Sequence, residues 1–167
     1  MPATAKADLE KAIDVSTQFL MSNWLGDKTL SRKHYPPQVL AIPEGTKVYG
    51  GCGKYMVGDD VGGSSYCPAT HTIFLVPEEL KFFHDTFGPS SVTYVVAHEF
   101  SHALQDVLGV NLKSPNHELQ ADCLAGALIQ EGSEELNITR ENVILMADAA
   151  YVIGSKSHGT GAQRAYS

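Results

Sequence analysis

Long apolar runs are missing from this chain, basic residues are outnumbered, and cysteine is rare. No stretch approaches the roughly 20 apolar residues that a helix needs to cross a bilayer, so no membrane-spanning segment is expected. With 12 Lys and Arg against 19 Asp and Glu, the net charge is −7. A nucleic-acid partner is therefore not expected, and nothing draws the surface to anionic lipid. The 3 cysteines include no C-x-x-C pair, which removes the usual frame of a thiolate zinc module. The first residues, Met1-Pro2-Ala3-Thr4-Ala5-Lys6, lack the apolar centre of a secretory signal. Either the protein stays inside the cell or its targeting segment lies outside this chain. No internal repeat or low-complexity tract is present. What remains is ordinary for a folded domain: 167 residues, 43% apolar and 19% charged, enough to bury one core.

The chemistry concentrates in His98-Glu99-Phe100-Ser101-His102. Positions four apart lie one above the other on a helix, so His98 and His102 can reach one metal ion from the same side. Glu99 is turned roughly 100° from His98 and flanks that point as a base. The pattern is H-E-x-x-H, two metal ligands with an adjacent carboxylate. Thr93 to Leu108 reads as a helix, with Pro89-Ser90-Ser91 at its start and Gly109 at its left-handed end. Val92, Val95, Val96, Phe100, Leu104 and Val107 make it apolar around much of its circumference, as a buried helix must be. The bland alternative is two hydrogen-bonded core histidines and a rim glutamate. Burying that polar set for packing alone is costly.

A short connection, Asn111 to Asn116, leads to a second helix from His117 to Glu131 that stops before Gly132. A connection this short lays the second helix against the first. Glu118 and Asp122 are again four apart and face one way. Glu118 is the candidate third ligand. Asp122 is the candidate acceptor for the second nitrogen of a ligand histidine, fixing its tautomer. An acid in a first helical turn is common for dipole reasons alone, but an acid inside an apolar stretch is not.

These residues carry a resemblance. His98-Glu99-x-x-His102 followed by Glu118-Leu119-Gln120-Ala121-Asp122-Cys123-x-Ala125-Gly126 resembles the signature of the putative neutral zinc metallopeptidases, a bacterial gluzincin-type group. Cys52-Gly53 with Tyr66-Cys67-Pro68, and Ser157-His158-Gly159-Thr160-x-x-Gln163-Arg164, resemble two further elements of that family. The likeness runs from about residue 48 to 166. By position it implies His98, His102 and Glu118 as zinc ligands, Glu99 as general base and Asp122 as support for a ligand histidine. The family commonly has Gly before the second histidine, where this chain has Ser101.

The fold class expected is α+β: a compact gluzincin-like domain over 1–167, mainly helical, with a small sheet beside the metal helix. Its parts are a scaffold helix in 1–26, a small sheet and Gly-rich loop in 39–76, the metal-site helix pair in 91–131, and a C-terminal helix and tail in 140–166. Thr72-Ile73-Phe74-Leu75-Val76 is the best strand, stopped by Pro77. It is either an edge that accepts an extended peptide by strand addition or simply a buried strand. A short helix follows over 77–87. Residues 140–153 form a late helix whose Val143, Ile144, Met146, Ala147, Ala150 and Tyr151 are expected to pack on the metal pair. Cys52 and Cys67 can close a ring of about 15 residues, which would stabilise the fold by on the order of 3 kcal/mol if oxidised. The alternative is two free thiols. Cys123 reads as a buried small hydrophobe.

The function expected is a zinc-dependent endopeptidase with one Zn2+ per chain, acting on a peptide or protein. The metal activates a water, and Glu99 takes its proton and later returns one to the leaving nitrogen. His158 is the first candidate donor to the developing oxyanion and Arg164 the second. His117 is expected to point away from the site. The alternative is a non-catalytic, zinc-dependent peptide- or protein-binding module that recruits its partner through strand 72–76. A disulfide would place the protein in an oxidising, extracytoplasmic compartment, secreted or membrane-tethered, with the cytoplasm as the alternative.

Overall fold

Helix α4 (Pro89–Val107) is the hub around which the other elements collect. It starts four residues earlier than the sequence suggests, because Gly88 and Pro89 turn the chain straight out of the preceding helix. Ser91 does not cap in the usual sense; its hydroxyl donates back to the carbonyls of Phe83 and Gly88. Gly109 takes φ 73°, the left-handed end that the sequence predicts. The computed structural model of the chain describes residues 3–47, 52, 56–57, 63–113 and 115–152.

Helix α1 (Ala3–Gly26) buries Leu9, Phe19, Leu20 and Trp24 and lies against α4. A short α2 (Lys28–Lys33) follows, capped by the Asp27 carboxylate, which accepts from the backbone N–H of Thr29 and Leu30. Strands β1 (Gln38–Ala41), β4 (Ser65–Cys67) and β5 (Thr72–Leu75) form one sheet in the order β1-β5-β4. Strands β2 (Thr46–Lys47) and β3 (Met56–Val57) form a separate antiparallel pair. Cys52 is joined by a disulfide to Cys67 at the end of β4. Helix α3 (Pro77–Phe87) spans the range expected and buries Leu80 and Phe83, with Phe87 partly buried against the core. The polypeptide then runs through α4, α5 (Asn116–Glu131) and α6 (Arg140–Val152). The architecture is helical α+β with a small sheet beside α4.

Of the two readings of 72–76 the buried strand holds: β1 pairs with β5 in parallel, Val39 opposite Ile73, and β4 pairs with it antiparallel, Tyr66 opposite Ile73. Its four residues are all buried, so its main-chain groups are committed to its neighbours and cannot receive a peptide. Helix α6 packs on α4 as expected, but through a narrower face than expected. Met146, Ala149 and Ala150 are buried, whereas Val143, Ile144 and Tyr151 are exposed. Cys123 is exposed rather than buried. It lies on the outward side of α5, one position past Asp122.

Where α5 ends, packing rather than backbone geometry demands glycine. A Cβ on Gly132 would sit 2.1 Å from Cζ of Phe19, so the close approach of α1 to this corner requires a residue without a side chain.

Candidate metal centre

Helices α4 and α5 pack side by side and bring their polar stripes together. Nε2 of His98 lies 3.0 Å from Oε2 of Glu118, and Nε2 of His102 lies 2.8 Å from the same oxygen. The two Nε2 atoms are 3.1 Å apart. The one-turn spacing on α4 stacks the imidazoles, and the first turn of α5 delivers the carboxylate. One ligand-type atom from each residue thus falls within a 4.8 Å cluster, the sole such group of three among the described residues.

Each imidazole is held from behind. His98 donates through Nδ1 to Oδ1 of Asp122 at 2.8 Å, and the Tyr94 hydroxyl donates to that same oxygen. His102 donates through Nδ1 to Oε1 of Gln105 at 2.8 Å. With both Nδ1 atoms acting as donors, a neutral ring has only a lone pair left on Nε2. Two imidazole lone pairs and a carboxylate oxygen then converge at 2.8–3.1 Å. Such a cluster of acceptors is stable only around positive charge, either a proton or a metal ion. Two His and one carboxylate, with the rest of the cleft open, fit a tetrahedral zinc site that keeps a fourth position. The donor set therefore suits the ion.

Electrostatics point the same way. Burial alone would depress the His98 imidazolium, but hydrogen bonds to Asp122 and Glu118 and the nearby Glu99 charge outweigh it and raise the group to about 9. His102 is likewise raised: burial opposes the charge, and Glu118 and Glu99 prevail. Positive charge at this point is thus favoured by the carboxylates around it.

A cavity of about 380 Å³ opens over this point, lined by His98, Glu99, His102 and Glu118 on the helix side and by Ser64, Ser65 and Tyr66 on the strand side. Glu99 is buried and lines the cavity within one residue of the ligand atoms, as the motif requires. The Tyr66 hydroxyl spans the wall, donating to Oδ2 of Asp106 at 2.7 Å and lying 2.7 Å from Nδ1 of His71. His71, which donates from Nε2 to the Tyr35 carbonyl, adopts φ 49° to reach both partners. Behind Glu99, Glu79 on α3 accepts from the Ser64 backbone N–H. Burial, with the Glu99 charge adding to it, pushes the Glu79 carboxyl up to about 8.

His98, His102, Glu99, Glu118 and Asp122 are thus gathered as the sequence suggests. His158 and Arg164 lie outside the described residues. His117 departs from expectation: its ring stacks on that of His102 at a centroid distance of 5.2 Å and lines the cavity. Sequence reasoning missed Tyr94 and Gln105, both of which brace ligand rings. A signal existed for each. Tyr94 is four residues before His98, and Gln105 is three after His102, so each shares a helix face with the histidine beside it. Ser101, where the family commonly has Gly, satisfies itself by donating to the Ala97 carbonyl at 2.8 Å.

Fold and centre together define the class: a helical α+β protein whose paired helices present a His–His–Glu set suited to a divalent cation. The chain belongs to the family described as "Putative neutral zinc metallopeptidase", which it matches over residues 4–166. Among curated proteins it is similar to the uncharacterized protein YpfJ of Escherichia coli (strain K12), 30% identical over 151 residues, covering 68% of this chain and 50% of that protein. An uncharacterized protein of Mycobacterium tuberculosis (strain ATCC 25618 / H37Rv) is 34% identical over 91 residues, 46% of this chain and 30% of that protein. The chain thus spans at most about half the length of these relatives. No solved structure matches.

Proposed function

We propose that this chain is a zinc-dependent endopeptidase acting as one metallopeptidase domain, with His98, His102 and Glu118 as ligands to a single zinc ion. The carrying observation is the convergence of two Nε2 atoms and one carboxylate oxygen within 4.8 Å, with both Nδ1 atoms already committed elsewhere. Zinc bound there supplies a Lewis acid for the peptide carbonyl and lowers the pKa of a water. Glu99 is the general base at its carboxylate oxygens, taking a proton from the attacking water and passing one to the leaving nitrogen. Asp122, backed by Tyr94, keeps His98 aligned. His158 is the proposed donor to the developing oxyanion, with Arg164 second.

The substrate path follows from the sheet order. Among the described residues β4, not β5, is the outer strand beside the cavity, and Ser64, Ser65 and Tyr66 line its wall. An extended peptide adding to that strand would pass over the ligand cluster. The rival reading, a non-catalytic binding module recruiting through strand 72–76, loses its docking edge to the β1 and β4 pairings. The Cys52–Cys67 disulfide supports an extracytoplasmic location.

Digestion of a proteome-derived peptide library by the zinc-loaded protein tests this reading. Cleavage inside peptides that stops with chelator, returns with zinc and vanishes in Glu99→Gln is expected. Stoichiometric zinc without chelator-sensitive cleavage would contradict it.

A further inference from the structure

Gln105 is a fully buried polar side chain one turn beyond His102, and its amide has only one arrangement that works. Its Nε2 lies 2.9 Å from the His117 backbone carbonyl and 2.9 Å from Oε1 of Gln120. A backbone carbonyl can only accept, so the NH₂ end must face α5 whichever way Gln120 is turned. The oxygen is left facing Nδ1 of His102 at 2.8 Å. That nitrogen must therefore carry a proton, and in the neutral ring the lone pair must sit on Nε2, toward His98 and Glu118.

The two histidines are held by different chemistry. His98 has a carboxylate behind it, and Asp122 raises its affinity for a cation by charge as well as by geometry. His102 has a neutral amide behind it. With Glu99, Glu118 and Asp122 already around the centre, a fourth carboxylate would add like-charge repulsion in a buried place. A carboxamide orients the ring without that charge. It also joins His102 to the residue next to Glu118, because the His117 carbonyl is the anchor of the amide.

We propose that Gln105 is a positioning residue: it fixes the tautomer and direction of His102 and registers that ring against the turn of α5 that carries Glu118. This inference rests on the reading that His98, His102 and Glu118 bind zinc.

The test uses the full chain with Gln105→Leu, which keeps volume and removes all three hydrogen bonds, beside Gln120→Ala, which removes one anchor and leaves the His117 carbonyl. Zinc affinity is read by competition with a chromogenic chelator, and folding by circular dichroism. Loss of an outer partner of a ligand histidine typically weakens metal binding by about 10- to 100-fold. That loss is expected for Gln105→Leu with the fold intact, whereas Gln120→Ala should stay within about threefold. A folded Gln105→Leu that binds zinc within about twofold of the parent overturns the proposal. So does a Gln120→Ala loss as large as that of Gln105→Leu, because the amide would then matter only as a helix clamp.

A second measurement needs no variant. Long-range ¹H–¹⁵N spectra of the parent at alkaline pH, without metal, should show His102 protonated on Nδ1 and slow to exchange. Protonation on Nε2 or rapid exchange overturns the proposal even if zinc never binds. This separates its failure from failure of the zinc reading.

Discussion

At the proposed zinc site proton and metal would compete for one point, and the competition can be measured. The His98 imidazolium is raised from 6.5 to about 9 in the metal-free centre. A ligand must lose that proton before Nε2 can bind zinc. At pH 7 the proton lies about two pKa units in favour, so apparent affinity should sit about a hundredfold below its alkaline limit, about 3 kcal/mol. The logarithm of the zinc association constant should climb by about one per pH unit near pH 7 and level off toward pH 9 as His98 loses its proton; His102, also raised, adds to the slope. Competition with a chelator of known pH dependence across this range is the assay. Asp122→Asn is the informative variant. The hydrogen bond to Asp122 is the largest influence raising His98, so the variant should bind zinc about 10- to 100-fold more weakly at pH 9. Its affinity should also depend less on pH. A flat parent profile, or an unchanged slope in Asp122→Asn, would refute the argument.

Stability of the metal-free protein should move oppositely. His98 contributes fully below about 6.5, where folded and unfolded forms are both protonated, and that contribution is lost as pH rises through about 9. Glu79 acts in the same direction: its carboxyl keeps a proton up to about 8 when folded but releases it from 4.5 upward when unfolded, so stability falls across that window. Thermal melts of metal-free protein should therefore fall between pH 5 and pH 9, and a rising Tm would contradict both assignments. Gly132→Ala should destabilise by roughly 1–3 kcal/mol, since a Cβ would sit 2.1 Å from the Phe19 ring. An unchanged Tm would show that Phe19 moves aside freely. Reduction of Cys52–Cys67 should cost about 3 kcal/mol and raise the denatured thiol count from one, Cys123, to three. Three thiols before reduction would exclude the bond.

The cluster of candidate metal ligands was legible because helix periodicity converts spacing into direction. His98 and His102 at one turn, and Glu118 and Asp122 at one turn, can meet only if two helices lie side by side, and the short connection between them enforces that. Helices α1 and α3 were legible for the related reason that Leu9, Leu20 and Trp24, or Leu80 and Phe83, repeat on one face. The order of the sheet was not. A four-residue apolar strand has no period that distinguishes an edge from a centre, and β5 gained its second neighbour from β1, more than 30 residues upstream. The inward face of α6 was misjudged because its apolar residues surround most of the helix, so burial was decided by what α4 and α3 offered. His117 was misplaced for a different cause. Its direction depends on how the chain enters the first turn of α5, which spacing from Glu118 alone does not fix. Gln105 shares a helix face with His102, but that spacing assigns a neutral amide no role until its partners across the helix pair are known.

Zinc content after exhaustive dialysis, taken together for the parent, Glu99→Gln and Glu118→Ala, tests the central claim most directly. One zinc per chain in the first two and none in the third is the result expected from the His98–His102–Glu118 cluster. Retention of stoichiometric zinc by a folded Glu118→Ala, or its absence from the parent, would contradict the account.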